Sequence, residues 1–168
     1  VWGDTFADKA PPNLLTVARR VGAVLVGALD GDEVVGFVFS IAGLRDRVPL
    51  HWSELMGVLP DYRNHGLGRR MKLKQRELCL GAGVDRIEWS YDPMVARNAH
   101  FNINRLGVEI VDYIPDFYLH TGSKIHTLKM DRTIAAWNLD SAGVIARIDT
   151  RIAPMPNDDA ALLNNPAG

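Results

Sequence analysis

The chain has 168 residues, 47% apolar and 23% charged, the balance of one soluble globular domain long enough to bury a core, which excludes disorder for most of it. A formal net charge of −1 gives no global pull toward nucleic acid or an anionic membrane, so any anion site has to be local. The single cysteine, Cys79, excludes an internal disulfide framework and a cysteine-built zinc site and points to a reducing, cytoplasmic location, and no apolar run approaches the ~20 residues of a membrane span. The sequence begins at Val1 without methionine, so an upstream piece is expected to have been processed, trimmed or left out.

In chain order, NLLTVARRVG (13–22) carries apolar residues at helical spacing and stops at Gly22. AVLVGALD and DEVVGFVFSIA, within 23–42, are strand-like runs separated by Asp30-Gly31, the dipeptide of a tight hairpin, and are expected to pair antiparallel. A polar loop, LRDRVP, leads to a third strand over 51–60, HWSELMGVLP, closed by Pro60 and Asp61. From Gly66 to about Gly81 there is no helix breaker; Leu67, Met71, Leu78 and Ala82 define the expected apolar face, with Leu73 and Leu80 as a lesser one. VDRIEWSYD (84–92) reads as a short strand ended by Pro93, and ARNAHFNINRLG (96–107) as a helix stopped by Gly107. VEIVDYI (108–114) is a further strand, and IHTLKM and TIAAWNL supply one or two more. Alternating strands and helices between 51 and 114 require at least one crossover, hence a mixed α/β sheet with helices packed on it. Residues 1–149 are assigned to one domain, and 150–168, rich in Pro, Asn and Ala, to a linker or disordered tail.

Residues 63–77, RNHGLGRRMKLKQRE, open the long helix on glycine, which weakens a helix by about 1 kcal/mol against alanine. A glycine-containing turn entering a helix presents unpaired N–H groups that bind phosphate oxygens. The spacing Arg63-x-x-Gly66-x-Gly68 lets the backbone wrap a diphosphate. Arg69 and Arg70 place positive charge in the first turn, where the helix dipole disfavours it unless an anion sits among them. The Walker pattern needs Gly-Lys-Ser/Thr and the dinucleotide fingerprint three glycines, and neither is met. A tight turn, with Arg69, Lys72 and Arg76 on a solvated face, accounts for the same residues without a ligand.

VLPDYRNHGLGRRM resembles the acyl-coenzyme A signature of the GNAT N-acyltransferase superfamily, a strand ending in Val-x-Pro and then Arg/Gln-x-x-Gly-x-Gly/Ala at the start of a long helix. Val58, Pro60, Arg63, Gly66 and Gly68 match in spacing. The element order matches over about 13–139, and WSYDPMVARNAHFNINRLG is similar to a little-characterised subgroup of GNAT acyltransferases. The resemblance implies an α/β (α+β) fold with a mixed, mostly antiparallel, splayed sheet flanked by helices. The family's first strand should lie before residue 13, where VWGDTFADKAPP does not read as one. The resemblance implies transfer of an acyl group, most simply acetyl, from acetyl-CoA or another acyl-CoA to a primary amine in a ternary complex; a catalytically silent acyl-CoA-binding regulatory or interaction module is the alternative. In such enzymes the diphosphate rests on the loop, here Asn64, His65, Gly66, Leu67, Gly68 and Arg69, with Arg63 and Arg70 beside it. The pantetheine arm pairs with the backbone at Met56, Gly57 and Val58, and an amide near Val58 polarises the acyl carbonyl.

The attacking amine must be neutral, so a base has to take its proton. Glu54 and His51 are the candidates. An odd number of residues apart on one strand, they are expected on opposite faces, Glu54 sharing that of Met56 and Val58. A carboxylate on this strand is a common base in the family, while His51 has the pKa nearer neutrality; a solvated or ion-paired Glu54 and a strand-start His51 are the reading without catalysis. The family's acid is a tyrosine four residues before the second helix's terminal glycine. Here that residue is Ile103, which leaves Tyr113, Tyr118, another group or solvent to serve the departing thiolate. Asn98 and Asn102, one turn apart, are candidates to hydrogen-bond the pantetheine or that thiolate, or are simply a helix-start and a polar-face residue. Trp89, Tyr91 and Asp92 either shape the acceptor pocket or pack. His100 lacks a second pair of ligands, so no metal is expected, and Cys79 reads as a core residue. No nucleic acid or membrane partner is expected, and an exposed final hairpin suits pairing into a homodimer.

Overall fold

The computed structural model describes residues 11–118 and 131–149. The run IHTLKM, the segment where the family's first strand is expected and the tail from Thr150 therefore lie outside the described residues. Helix α1 (Pro12–Arg20) starts on a proline at its first position, where the missing N–H costs nothing. Strands β1 (Val24–Asp30) and β2 (Glu33–Arg45) form the expected hairpin through Gly31, whose φ is +57°. Strand β3 (Val48–Val58) follows β2 after Asp46 and Arg47 alone, both at positive φ, the backbone that a two-residue hairpin needs to match strand twist. The polar stretch expected as a loop is thus mostly ladder, with Leu44 opposite Pro49 and Arg45 opposite Val48, and the third strand begins at Val48 rather than residue 51.

Helix α2 (Leu67–Gly81) leads to β4 (Arg86–Tyr91). The expected second helix is α3 (Ala96–Ala99) continued by π-helical turns over His100–Leu106, and Gly107, at φ +74°, stops it. Strand β5 (Glu109–Ile114) and β6 (Arg132–Asn138) complete a six-stranded sheet in the order β1-β2-β3-β4-β6-β5, antiparallel at every junction except β3 to β4. This is the mixed, mostly antiparallel α/β sheet that the sequence implied. Helix α4 (Ala142–Asp149) was not anticipated; Ser141 starts it, its Oγ accepting the Val144 N–H at 3.3 Å. Among the described residues no helix is long and apolar enough to cross a membrane.

The core lies between the sheet and α2, the π-helical turns and α4, where Cys79, Ile87, Trp89, Leu106, Trp137 and Val144 meet. Trp137 is completely buried and donates Nε1–H to the Leu106 carbonyl at 2.9 Å, tying β6 to the end of the π segment. Trp89 and Tyr91 point into this core, so they pack rather than shape an acceptor pocket. Burial pushes the Cys79 thiol up to about 11, the Lys72 charge opposing, which keeps it a protonated core residue.

The face that α2 buries differs from the expected one. Leu78 is 41% exposed and Ala82 is exposed, whereas Met71, Lys72, Gln75 and Cys79 are buried. The buried stripe keeps helical spacing (71, 72, 75, 79), but two of its members are polar, which conceals it in a hydrophobicity pattern. Lys72 donates from Nζ to Ser53 Oγ at 2.8 Å and Gln75 Oε1 at 3.1 Å and lies 3.9 Å from the centre of the Trp89 ring. Arg69 and Arg76 are also not a solvated face: Arg69 bonds the Ile148 carbonyl and ties α4 to α2, and Arg76 bonds the Leu139 carbonyl just past β6.

Burial lowers the Lys72 ammonium from its ordinary 10.5 to about 7. Between those values the unfolded chain holds a proton that the native one has released, so raising the pH favours the native state by up to about 1.4 kcal/mol per pH unit; below them the full desolvation cost remains. Lys72→Met is expected to raise stability at pH 6 and to remove the gain that the wild type shows between pH 7 and 10 in urea denaturation. Parallel stability curves for the two proteins across that range would contradict a buried ammonium.

Candidate active site

The site is built around one interruption of the sheet. Strands β3 and β4 pair in parallel only at His51 with Ile87 and Trp52 with Glu88. Beyond that, β3 runs to Val58 laddered to β2 alone, and β4 runs to Tyr91 laddered to β6 alone. The inner edges of the two strands part, leaving backbone groups of 53–58 that β4 does not use. Each strand keeps its outer partner, so the split is stable without being closed.

A β-bulge sits at the fork. Ser40 lies opposite Ser53 while Phe39 lies opposite Leu55, which makes Glu54 an extra residue and puts the side-chain alternation one residue out of step. Met56, opposite Val38, and Val58, opposite Gly36, therefore join Ser53 on the α2 side, and the Met56 Cε stands 2.6 Å from where a Cβ on Gly68 would be. Glu54 does not share their face, because the bulge breaks the period-two rule on which that expectation rested. Instead Glu54 accepts the Trp52 Nε1–H at 2.9 Å on the side away from α2. On that side the Trp52 ring neighbours Phe117 at 6.2 Å, Phe117 neighbours Tyr118 at 4.8 Å, and the Tyr118 hydroxyl meets Ser90 Oγ at 2.9 Å. Burial raises the Tyr118 pKa, the Ser90 bond opposes it and the Glu54 charge adds to the rise, so the phenol keeps its proton at neutral pH.

The other sequence candidates are dispersed. His51 is 1% exposed, on the helix side of β3, with Nδ1 at 2.9 Å from Ser40 Oγ, and burial lowers its pKa. It is on the face opposite Glu54, as the parity argument expected. Tyr113 is half exposed and donates to Asp131; that bond first, then burial and the Asp131 charge, raises its pKa. Asn98 lies in α3, and Asn102, 4% exposed in the π-helical turns, makes no side-chain hydrogen bond among the described residues. Ile103 is 40% exposed beside it. Asp92 is used locally, accepting the Met94 N–H.

From Val58 the chain passes through a 3-10 turn (Pro60–Tyr62) into the loop before α2. Arg63 Nε bonds the Val58 carbonyl at 3.0 Å, and the Tyr62 hydroxyl bonds Asp30 at 2.6 Å, which anchors the loop at both sides. Asn64 and Gly66 have φ of 65° and 76°. The first helical bond recorded is from the Arg70 N–H to the Gly66 carbonyl, so the amides of 67–69 are the helix's unpaired donors. No side chain caps them and no acidic residue occupies the first turn. A Cβ on Gly66 would meet nothing within 4 Å: this glycine is needed for its φ, and the space before it is open. Gly68 is needed for a different reason, the close approach of α2 to Met56 on β3. His65 and Arg70 are exposed, whereas Arg69 turns to α4. Sequence reasoning missed Trp52, Ser53, Lys72, Gln75 and Ser90; a lysine and a glutamine three residues apart inside a core stripe was the available signal.

A split sheet whose inner strand leads, through a short turn and loop, to a helix start with uncapped amides defines the class of α/β domain to which the chain conforms. The chain belongs to the acetyltransferase (GNAT) family, whose model matches residues 2–101, and the family's chemistry is acyl transfer from coenzyme A thioesters. Among solved structures it is similar in fold to a putative GNAT acetyltransferase from Desulfovibrio desulfuricans (16% identity, 76% of this chain and 75% of that one, TM-score 0.61). It is likewise similar to Arabidopsis thaliana Naa50 in complex with the bisubstrate analogue CoA-Ac-MVNAL (18% identity, 79% and 84%, TM-score 0.61). A third similar structure is an aminoglycoside 6'-acetyltransferase type Ii (17% identity, 75% and 75%, TM-score 0.58). Comparison with curated proteins found no match.

Gly66→Asp puts a carboxylate into the open space before the helix start and strains a left-handed backbone position. It is expected to weaken coenzyme A binding by at least tenfold, about 1.4 kcal/mol, in titration calorimetry with the fold retained by circular dichroism. Unchanged affinity would remove the loop from the site.

Proposed function

We propose that the protein transfers an acetyl, or another acyl, group from acyl-CoA to a primary amine by direct attack in a ternary complex. The single observation that supports this most is the split between β3 and β4, which continues into the bare amides of 67–69 and carries Glu54 at its fork. In this reading the diphosphate lies on 64–69, with Arg70 as the available cation, and the pantetheine arm bonds the unused edge of β3 at Met56, Gly57 and Val58 as an added strand would. A β3 amide near Val58 polarises the thioester carbonyl.

Glu54, held by Trp52, takes the proton of the attacking amine directly or through a water. The amine nitrogen bonds to the carbonyl carbon, and the carbon–sulfur bond then breaks with its electron pair on sulfur. Tyr118 and Ser90 stand on the Glu54 side and suit a role in orienting the acceptor. No group of His, Cys, Asp and Glu able to hold a metal occurs among the described residues, and this chemistry requires none. The similar structures, one bound to the bisubstrate analogue CoA-Ac-MVNAL and one an aminoglycoside 6'-acetyltransferase, suggest a short peptide and aminoglycosides as acceptors to try. The alternative, a silent acyl-CoA-binding module, draws on Ile103 in the place of the family's tyrosine.

Thiol release from acetyl-CoA with a panel of a short peptide, kanamycin and spermidine separates the two, since a silent module binds the cofactor and releases nothing above blank. Glu54→Gln is expected to lower kcat on the order of 100-fold, and Tyr118→Phe by clearly less. The reverse ranking would move the base away from Glu54.

A further inference from the structure

Ile103 leaves the departing thiolate without the family's proton donor, and the helix side of the same fork holds a polar cluster that the mechanism above does not use. Ser53 is the first residue of β3 past the last pairing with β4, and it is 8% exposed. Its Oγ accepts from Lys72 Nζ at 2.8 Å and from Gln75 Nε2 at 3.3 Å. Two donors occupy both lone pairs, so the only bond left to the hydroxyl is the one its own hydrogen makes. That hydrogen has no acceptor among the described residues. Lys72 bridges the fork, bonded to Ser53 on β3 and seated on the Trp89 ring on β4.

A buried ammonium ordinarily has a carboxylate partner. Here none lies within ion-pair distance among the described residues. Glu88 turns to the other face of β4, where Arg86 and Arg45 hold it. Among the described residues, the buried titratable groups on the Lys72 side include His51 of β3, Tyr91 of β4 and Cys79 of α2, and burial favours the neutral form of each. A polar cluster placed inside a core stripe costs stability that a leucine would not.

We propose that Ser53 is the proton donor to the departing coenzyme A thiolate, and that Lys72, acting through the Ser53 hydroxyl, is the positioning residue that supplies and restores its proton. This rests on the transferase reading above. As the carbon–sulfur bond breaks, Ser53 Oγ–H gives its proton to sulfur and takes one from Lys72 Nζ, while the amine's proton is on Glu54. The products are the amide and the free thiol. Glu54 then releases its proton to solvent and Lys72 regains one. Because burial brings Lys72 to about 7, it can both hold and give up a proton near neutrality. The two proton transfers sit on opposite faces of the sheet, Glu54 on one and Ser53 with Lys72 on the other, which keeps base and acid from neutralising each other.

The test uses acetyl-CoA with the panel amine that the wild type turns over fastest, measured as kcat against pH for the wild type, Ser53→Ala, Lys72→Met and Lys72→Arg, with acetyl-CoA affinity by calorimetry. The wild type is expected to lose kcat on the alkaline side as Lys72 deprotonates. Ser53→Ala and Lys72→Met are expected to lower kcat on the order of 100-fold, to leave acetyl-CoA affinity within threefold, and to abolish the alkaline limb; Lys72→Arg keeps the charge and moves the limb beyond the measured range. Variants with wild-type kcat, or with lowered kcat and the limb intact, overturn the proposal while the transferase reading stands. Wild-type protein that neither binds acetyl-CoA nor releases thiol overturns both.

Discussion

The site depends on hydrogen bonds that two neighbouring strands do not make. After Trp52 and Glu88 the inner edges of β3 and β4 part, and their outer edges remain laddered to β2 and β6. An unpaired strand edge inside a sheet is ordinarily a defect. Here several features hold it open. Lys72 spans the gap from Ser53 to Trp89, the Glu54 bulge turns β3, and the ion pairs of Glu88 with Arg86 and Arg45 brace β4 where the strands still touch. Nothing in the folding of an isolated sheet calls for this arrangement; under the proposed reading, the open edge is where the pantetheine arm of acyl-CoA pairs.

The same interruption separates the chemistry by face. The bulge sends Met56 and Val58 to the side of α2 and leaves Glu54 with Trp52 on the other. Under the proposed reading, an amine approaches on the Glu54 face and the thioester's sulfur departs toward the helix face. A nucleophile and a leaving group then need not share one set of side chains. The two glycines of the loop serve this plan separately, Gly66 by its positive φ before the open helix start and Gly68 by admitting Met56 against α2.

The elements and their order were largely legible, because their causes are local. Gly31 makes the β1–β2 hairpin, the breaker-free run from Gly66 makes α2, and Gly107 at positive φ ends the second helix. The signature of Val58, Pro60, Arg63, Gly66 and Gly68 led to the family that the comparison then showed. What escaped depends on partners distant in sequence. The Glu54 bulge exists only in the register between β2 and β3, so a period-two reading assigned its face wrongly. Lys72 looks like a surface lysine until Ser53 and Trp89 are placed beside it. Trp89 and Tyr91 stay open between cleft and core until β6 and α4 supply the core they pack in. Helix α4 is short, and Ser141 alone announced it.

The central claim is that the open edge of β3 and the bare amides of α2 are one binding surface for acetyl-CoA. Amide hydrogen exchange followed residue by residue, with and without saturating acetyl-CoA, tests it most directly. The account predicts slowed exchange at two separated places, within 55–58 on β3 and at 67–69, with little change at the outer hairpin of β1 and β2. Protection at one place without the other, or none at either, would contradict it.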